Sequence, residues 1–348
     1  MKFSSHFRKF IFRFGLMLAV LSVTLAGNAF ANDEPEKKDI TLSVGGAPLF
    51  YYLPLAIASQ KGFFKEEGLD VKVVDLKGGS QSLQALLGGS ADVTTGAYDQ
   101  VIRMHSKGQD VRAVLELDRY PAIVLAVRAD LKDKVKKVGD LKGMKIGVTA
   151  PGSSTNNFLN YLLDKDGVKP DEVSVIGTGA GATAIAAMKR GEIDAIVNLD
   201  PVISTLMHDN SVFILVDTRT EADMEKIFGT RTMSSGVLYT KKEFIDNYPN
   251  TVQHITNAFV KALTWLQTAT PDDVANAVPP EYIGNNREVY LEAVKNSLPS
   301  YSHDGMISRR SQEATLKLLS YDKTIDGNKI DLSQTFDDRF VKRALENH

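Results

Sequence analysis

Cysteine is absent from the 348 residues. That excludes disulfides, thiol catalysis, cysteine-ligated zinc, iron–sulfur chemistry and a lipid anchor on an N-terminal cysteine. Histidine is scarce, and His6, His105, His208, His254, His303 and His348 show no metal-ligand spacing. No Gly-x-Ser-x-Gly elbow, Walker loop or His-Glu-x-x-His occurs. Gly177-Thr178-Gly179-Ala180-Gly181-Ala182 lacks the spacing of a dinucleotide fingerprint. Beyond residue 31 there is neither a long apolar run nor a basic block. A membrane span and a nucleic-acid partner are therefore not expected.

What is present begins with an export signal. Lys2, Arg8, Lys9 and Arg13 precede an apolar run over 14–27, and Ala29-Phe30-Ala31 supplies the small-x-small cleavage pattern. Asp33, Glu34, Glu36, Lys37 and Lys38 follow at once. The run is short for a transmembrane helix, so cleavage after Ala31 is expected, against the alternative of an uncleaved anchor. Cleavage removes four basic residues and no acids, making a chain of net charge −2 more acidic. Hydrophobic residues make up 43%, as in a globular protein, and the length suits two lobes. A binder that diffuses freely outside the cytoplasm needs an enclosed compartment, which points to a Gram-negative periplasm.

Short apolar runs over 40–44, 71–75, 91–94, 111–117, 145–148, 173–176, 195–197 and 212–217 read as strands. Stretches 54–67, 80–87, 153–165 and 183–190 read as helices between them. The alternation predicts an α/β fold with largely parallel sheets. The last third differs. Val252, Ile255, Phe259, Leu263 and Leu266 share one helical face over 251–268, and 287–298 and 308–321 continue as helices. A faint repeat pairs 83–93 with 185–195, each an apolar helix end, a glycine, then x-x-Asp before a strand. It suggests two lobes of similar plan.

The stretch Leu53-Pro54-Leu55, Ala58, Gly62-Phe63-Phe64 and Gly68-Leu69-Asp70-Val71 resembles the opening of a known family. That family comprises the periplasmic binding proteins for nitrate, alkanesulfonate, taurine and thiamine-precursor pyrimidines. Gly78-Gly79-Ser80, Gly89-Ser90-Ala91-Asp92, Leu141-Lys142-Gly143-Met144-Lys145-Ile146-Gly147-Val148 and Gly191-Glu192-Ile193-Asp194-Ala195 are also similar to its patterns. The resemblance covers about 40–240 and, more loosely, the helical tail. It implies a two-lobed clamp, each lobe a mixed sheet flanked by helices. Lobe 1 would be 32–122 plus 235–348, lobe 2 would be 123–234, and hinge crossings would lie near 120–124 and 233–237. It also implies a monomer that takes a small-molecule ligand, without a cofactor, and delivers it to the membrane permease and ATPase of an ABC importer. A pyrimidine-binding protein or a ligand-dependent periplasmic sensor are the alternatives. The related pyrimidine-synthesising enzyme of thiamine biosynthesis has a cysteine-rich iron motif that this chain lacks, so an enzyme is disfavoured.

In parallel α/β sheets ligands collect beyond the carboxyl ends of strands, where helix starts favour anions. Four segments are candidates. The first, 45–52, offers Ala47, Phe50, Tyr51 and Tyr52 as an aromatic wall. The second offers Gly79 and Ser80 opening a helix, with Ser80 a plausible N-cap. The third, 95–99, offers Gly96 and Tyr98, which either stacks on ligand or packs on its own helix. The fourth offers Gly152, Ser153, Ser154 and Thr155, a Gly-Ser turn opening a long helix. Asp200 aligns with Tyr98 on the repeat, and capping its helix is favoured over ligand contact. Tyr120 adds a ring, and Arg119 and Arg231 are weaker anion clamps. The aromatics point to an organic ligand with a planar or apolar part, and the helix starts allow an acidic head. If the helix starts at 78–80 and 152–155 face one cleft, Gly152→Val should weaken binding and Gly143→Val should not.

Overall fold

The computed structural model describes residues 34–346. The export segment and its cleavage after Ala31 lie outside them. The chain begins with β1 (Asp39–Val44), α1 (Leu53–Gln60), α2 (Phe63–Glu66), β2 (Asp70–Asp75) and α3 (Gly79–Leu87). It continues through β3 (Val93–Ala97), α4 (Tyr98–Ser106) and β4 (Val111–Glu116). Next come β5 (Val124–Arg128), β6 (Lys145–Val148), α5 (Ser154–Lys165), β7 (Ser174–Gly177) and α6 (Ala182–Lys189). Then follow β8 (Ala195–Asn198), α7 (Val202–His208), β9 (Val212–Asp217), α8 (Glu221–Phe228) and β10 (Gly236–Lys241). The tail is helical: α9 (Lys242–Asn247), α10 (Pro249–Leu266), α11 (Pro271–Ala277), α12 (Pro280–Ile283), α13 (Arg287–Ser297), α14 (Arg309–Leu318) and α15 (Arg339–Glu346).

Two five-stranded sheets result, ordered β2-β1-β3-β10-β4 and β7-β6-β8-β5-β9. In the first, β1 runs parallel to β2 and β3, while β10 runs antiparallel to β3 and β4. In the second, β6 runs parallel to β7 and β8, while β5 runs antiparallel to β8 and β9. The sheets share one plan, and in each the antiparallel strand arrives from the other sheet. Two connections therefore cross between them, 117–123 and 218–235. The α/β class holds, and both sheets are mixed and flanked by helices, as the family resemblance implied, rather than largely parallel as the alternation alone suggested. Both crossing strands escaped the sequence reading. They are buried from both sides (β10 except at its last residue, β5 likewise), so neither alternates in polarity.

The repeat is structural. Gly89 and Gly191 end α3 and α6 in the left-handed region, at φ 78° and 70°. Asp92 Oδ2 then accepts from the Thr41 amide near the start of β1, and Asp194 Oδ2 from the Lys145 amide at the start of β6, each at 2.9 Å. Each aspartate ties its own strand to the parallel neighbour.

Local chemistry moved other boundaries. The helix expected over 54–67 divides into α1 and α2, because Gly62 takes φ 78° between them. The helix α8 was not read from the sequence, and α4 and α7 entered that reading only as the helices beginning at Tyr98 and Asp200, without bounds. The predicted face of α10 is the observed one, with Val252, Ile255, Phe259, Leu263 and Leu266 all buried. It packs on α1, α2 and α15, beside the first sheet. The tail also edges that sheet directly, through a parallel bridge from Phe336 to Ala113 of β4.

Candidate functional site

The two sheets aim their carboxyl ends at one small cavity of about 20 Å3, room for about one water molecule. Four of its lining residues mark strand ends: Gly45 after β1, Ala97 closing β3, Thr149 after β6 and Leu199 after β8. From the first half come also Leu49, Tyr51, Tyr52, Gly79 and Gln100; from the second, Ile123, Ser153, Ser154 and Thr155. The helix starts of α3 and α5 meet here. The Ser80 amide donates to Ser153 Oγ at 3.2 Å, and the two hydroxyls lie 3.4 Å apart. The Ser80 and Gln81 amides of α3 are engaged by Ser153 Oγ and the Gly78 carbonyl, and what converges on the space is the positive end of each helix.

Of the expected residues, Tyr51, Tyr52, Gly79, Ser153, Ser154 and Thr155 line this cavity. Tyr51 is anchored through its hydroxyl to Ser235 at 2.9 Å, and Thr155 Oγ1 accepts from the Thr149 amide at 3.1 Å. Ser80 sits at the contact between helices but does not cap α3, which begins one residue earlier. Ala47 is held aside, its amide donating to Asp75 Oδ1 at 2.9 Å. Phe50 packs edge-on to Tyr290 and borders a separate void of about 10 Å3 with Asp118 and Asp200.

Several expectations are corrected. Tyr98 is fully buried away from the cavity, its hydroxyl bonded to Thr335 and accepting from Gln312 Nε2. Gly96 makes room for a neighbour rather than a ligand, since a Cβ there would stand 2.8 Å from the Tyr239 ring. Tyr120 is buried beside Arg119, outside the cavity lining. Arg119 itself is engaged by Glu221 and the Pro299 carbonyl, and Arg231 is exposed. Asp200, one residue before the N-cap Pro201, receives the Ser204 amide and hydroxyl on Oδ1 and pairs with Arg219. Gly152 is exposed at φ 79°, its amide turned to Asn156 Oδ1. Gly143 has φ 78°, so valine strains both turns and the proposed pair of substitutions cannot isolate ligand contact.

Sequence reading stopped at Asp99, one residue short of Gln100. Gln100 is 1% exposed, and its Oε1 accepts from the Tyr239 hydroxyl at 3.2 Å. Its Nε2 has no hydrogen-bond partner among the described residues. The signal available was its place in the first turn of a helix that follows a strand end. Asp99 joins the halves instead: Asn157 Nδ2 of α5 donates to its Oδ2 at 2.5 Å. Arg103 and Tyr321 both donate to Asn157 Oδ1, and Arg103 pairs with Asp322. Burial raises the Asp99 carboxyl above its usual range, against the hydrogen bond from Asn157 and the charge of Arg103. None of the cavity-lining residues carries a charge.

Two glycines permit the close meeting of the halves. A Cβ on Gly46 would stand 2.2 Å from Ala180 Cβ, and one on Gly78 would stand 2.7 Å from Ala150 Cβ. Beyond this contact a groove of about 510 Å3 opens, bordered by Lys77, Gln81 and the 177–181 glycine stretch.

Known proteins share this architecture. A solved protein of Bordetella bronchiseptica RB50 is 45% identical, covering 90% of this chain and 99% of its own, with a TM-score of 0.88. The periplasmic nitrate-binding protein NrtA of Synechocystis PCC 6803, 16% identical over 90% of each chain, shares the fold with a TM-score of 0.74. A Bacillus subtilis (strain 168) protein provisionally named as aliphatic sulfonates-binding is 27% identical over 96% of this chain and 97% of its own. The family model described as NMT1/THI5 like matches residues 50–273. The chain thus has the fold of the periplasmic binding proteins and belongs to the NMT1/THI5-like family.

Proposed function

We propose that this protein is the solute-capturing component of an ABC importer. Exported through its first 31 residues, it works in the periplasm as a monomer, takes a small organic solute between its two halves, and hands it to a membrane permease with its ATPase. The two halves are lobe 1, 32–122 plus 235–348, and lobe 2, 123–234, hinged at the crossings. The solute has an acidic or otherwise oxygen-bearing head and a planar or apolar body, of the sulfonate type. One observation carries this reading: the starts of α3 and α5, from different sheets, meet over a cavity that also presents Tyr51 and Tyr52. Helix starts favour an acceptor-rich head, and the absence of a lining cation suits an anion held by dipoles and N–H groups. The name of the Bacillus subtilis relative, matched along nearly its whole length, agrees with a sulfonate.

A ligand that binds only the folded state raises its melting temperature. The test is a thermal-shift screen of ethanesulfonate, taurine, benzoate, nitrate and a formylaminopyrimidine, followed by calorimetry and product analysis. We expect a sulfonate or carboxylate to stabilise the protein and to be recovered unchanged. Stabilisation by the pyrimidine alone would move the assignment to a thiamine precursor. Sustained conversion of a bound compound would make the protein an enzyme and end the capture reading.

A further inference from the structure

We propose that Gln100 is the residue that sets the polarity of the bound head group: its Nε2 donates to an oxygen of the solute, so the site admits acceptor-headed solutes and rejects ammonium or N–H-headed ones. This rests on the cavity being the solute site. Three observations support it. Gln100 lines the cavity and is almost wholly buried. Its acceptor end is taken by the Tyr239 hydroxyl, which turns the donor end the other way. That donor has no partner among the described residues, and a buried donor is costly to leave unpaired.

The neighbouring backbone is shaped around the amide. A Cβ on Gly79 would stand 3.3 Å from Gln100 Nε2, so glycine at the start of α3 leaves the amide and the helix end side by side. A solute oxygen there would accept from Nε2 while lying at the positive end of α3. The nearby carboxyl of Asp99 does not line the cavity, and Asn157 occupies its Oδ2. Its Oδ1 has no hydrogen-bond partner among the described residues, and burial raises its pKa, which favours the neutral acid over a carboxylate. No lining carboxylate is therefore available to receive an ammonium group.

The test compares wild type, Gln100→Met and Gln100→Glu by calorimetry, with ethanesulfonate, benzoate and nitrate as acceptor probes and ethylammonium as the donor-headed counterpart. Loss of a hydrogen bond to a charged acceptor weakens binding by about tenfold or more. Gln100→Met should show that loss for each acceptor probe the wild type binds, Gln100→Glu should lose acceptor probes entirely, and ethylammonium should not bind wild type. Because a substitution at a buried site can unfold the protein, the second readout uses wild type. The Gln100 side-chain amide resonances, assigned with selective glutamine labelling, should shift on adding a bound acceptor probe. Acceptor binding with unmoved resonances, or with affinity preserved in folded Gln100→Met, overturns the role of Gln100 and leaves solute capture standing. Wild type that binds ethylammonium in preference overturns the polarity rule. Wild type that binds none of the probes overturns this inference together with the acidic-solute reading.

Discussion

Glu116 is 5% exposed on β4, with Ser302 Oγ donating to it at 2.9 Å. Burial is the main cause that pushes its pKa up to about 8, against the hydrogen bonds from serines. Asp118, two residues on and also buried, is raised further by burial and by the charge of Glu116. A carboxyl raised in the folded state binds its proton more tightly there than in the unfolded chain. Its stabilisation is complete below the usual carboxylate range and is lost as pH rises through about 8. We therefore expect the melting temperature to fall between pH 5 and pH 9 beyond what surface charge explains. The slope contributed by one such proton approaches about 1.4 kcal/mol per pH unit. Glu116→Gln, which keeps the shape and cannot ionise, should flatten that fall. An unchanged slope in the variant, followed by calorimetry across the range, would show that Glu116 does not carry the linkage. Glu67 acts at the opposite limit. Burial opposes its ionisation, but hydrogen bonds from His254, Lys261 and Asn257 outweigh it and bring its pKa down to about 2. Residue types were visible in the sequence, but their surroundings were not. Tyr98 and Tyr51 both follow strand ends, yet one meets Gln312 and Thr335 from the tail and the other meets the cavity. That difference depends on side chains more than 180 positions away, which local spacing does not encode.

Elements were legible where polarity is periodic in the sequence. The strand β1, with Ile40, Leu42 and Val44 alternating with Thr41 and Ser43, and the helical stripe of α10 appear within a residue or two of their expected bounds. The crossing strands were not, since burial on both faces erases alternation. At this scale the glycine beside α3 is the telling position. Gly78 has φ 179°, extended backbone that alanine adopts without strain, unlike Gly152 at φ 79°. What forbids a side chain there is Ala150 of the other half, 2.7 Å from the added Cβ. Gly78→Ala should thus fold normally and resist the meeting of the halves. If solute binds only where they meet, affinity should fall about tenfold or more, the scale of 1.4 kcal/mol or greater expected from an overpacked contact. The thermal stability of the unliganded protein should change little. Calorimetry with a bound probe and a melting curve separate these outcomes, and equal affinity for the variant would show that this approach is not needed for capture.

The two sheets repeat one plan, and two connections join them. The second sheet is built from the contiguous run β5–β9, the first is completed by β10 only after the chain returns, and the connections 117–123 and 218–235 are fixed at both ends by sheet hydrogen bonds. The first connection is short and the second carries α8; we propose that they act as a hinge, in which rotation is absorbed by a few residues while each core stays intact. Across the contact Ser80 meets Ser153 and Asn157 meets Asp99, Arg103 and Tyr321, while Gly46 and Gly78 lie against Ala180 and Ala150. On that proposal, solute contacts to both halves shift the balance toward a closed form. The absence of cysteine makes the motion measurable, because two introduced cysteines carry the spin labels without competing sites. Gln84 on α3 and Ala182 opening α6 are both exposed and stand on different halves. With nitroxides at Gln84→Cys and Ala182→Cys, pulsed dipolar measurements should give a broader, longer distance distribution without solute. A saturating probe should draw it into a narrower, shorter one. Adding Gly78→Ala should push the distribution back toward the longer distances at the same probe concentration. A single distance, unchanged by a probe that calorimetry shows to be bound, would mean that the two sheets form one rigid body and that solute enters without closure.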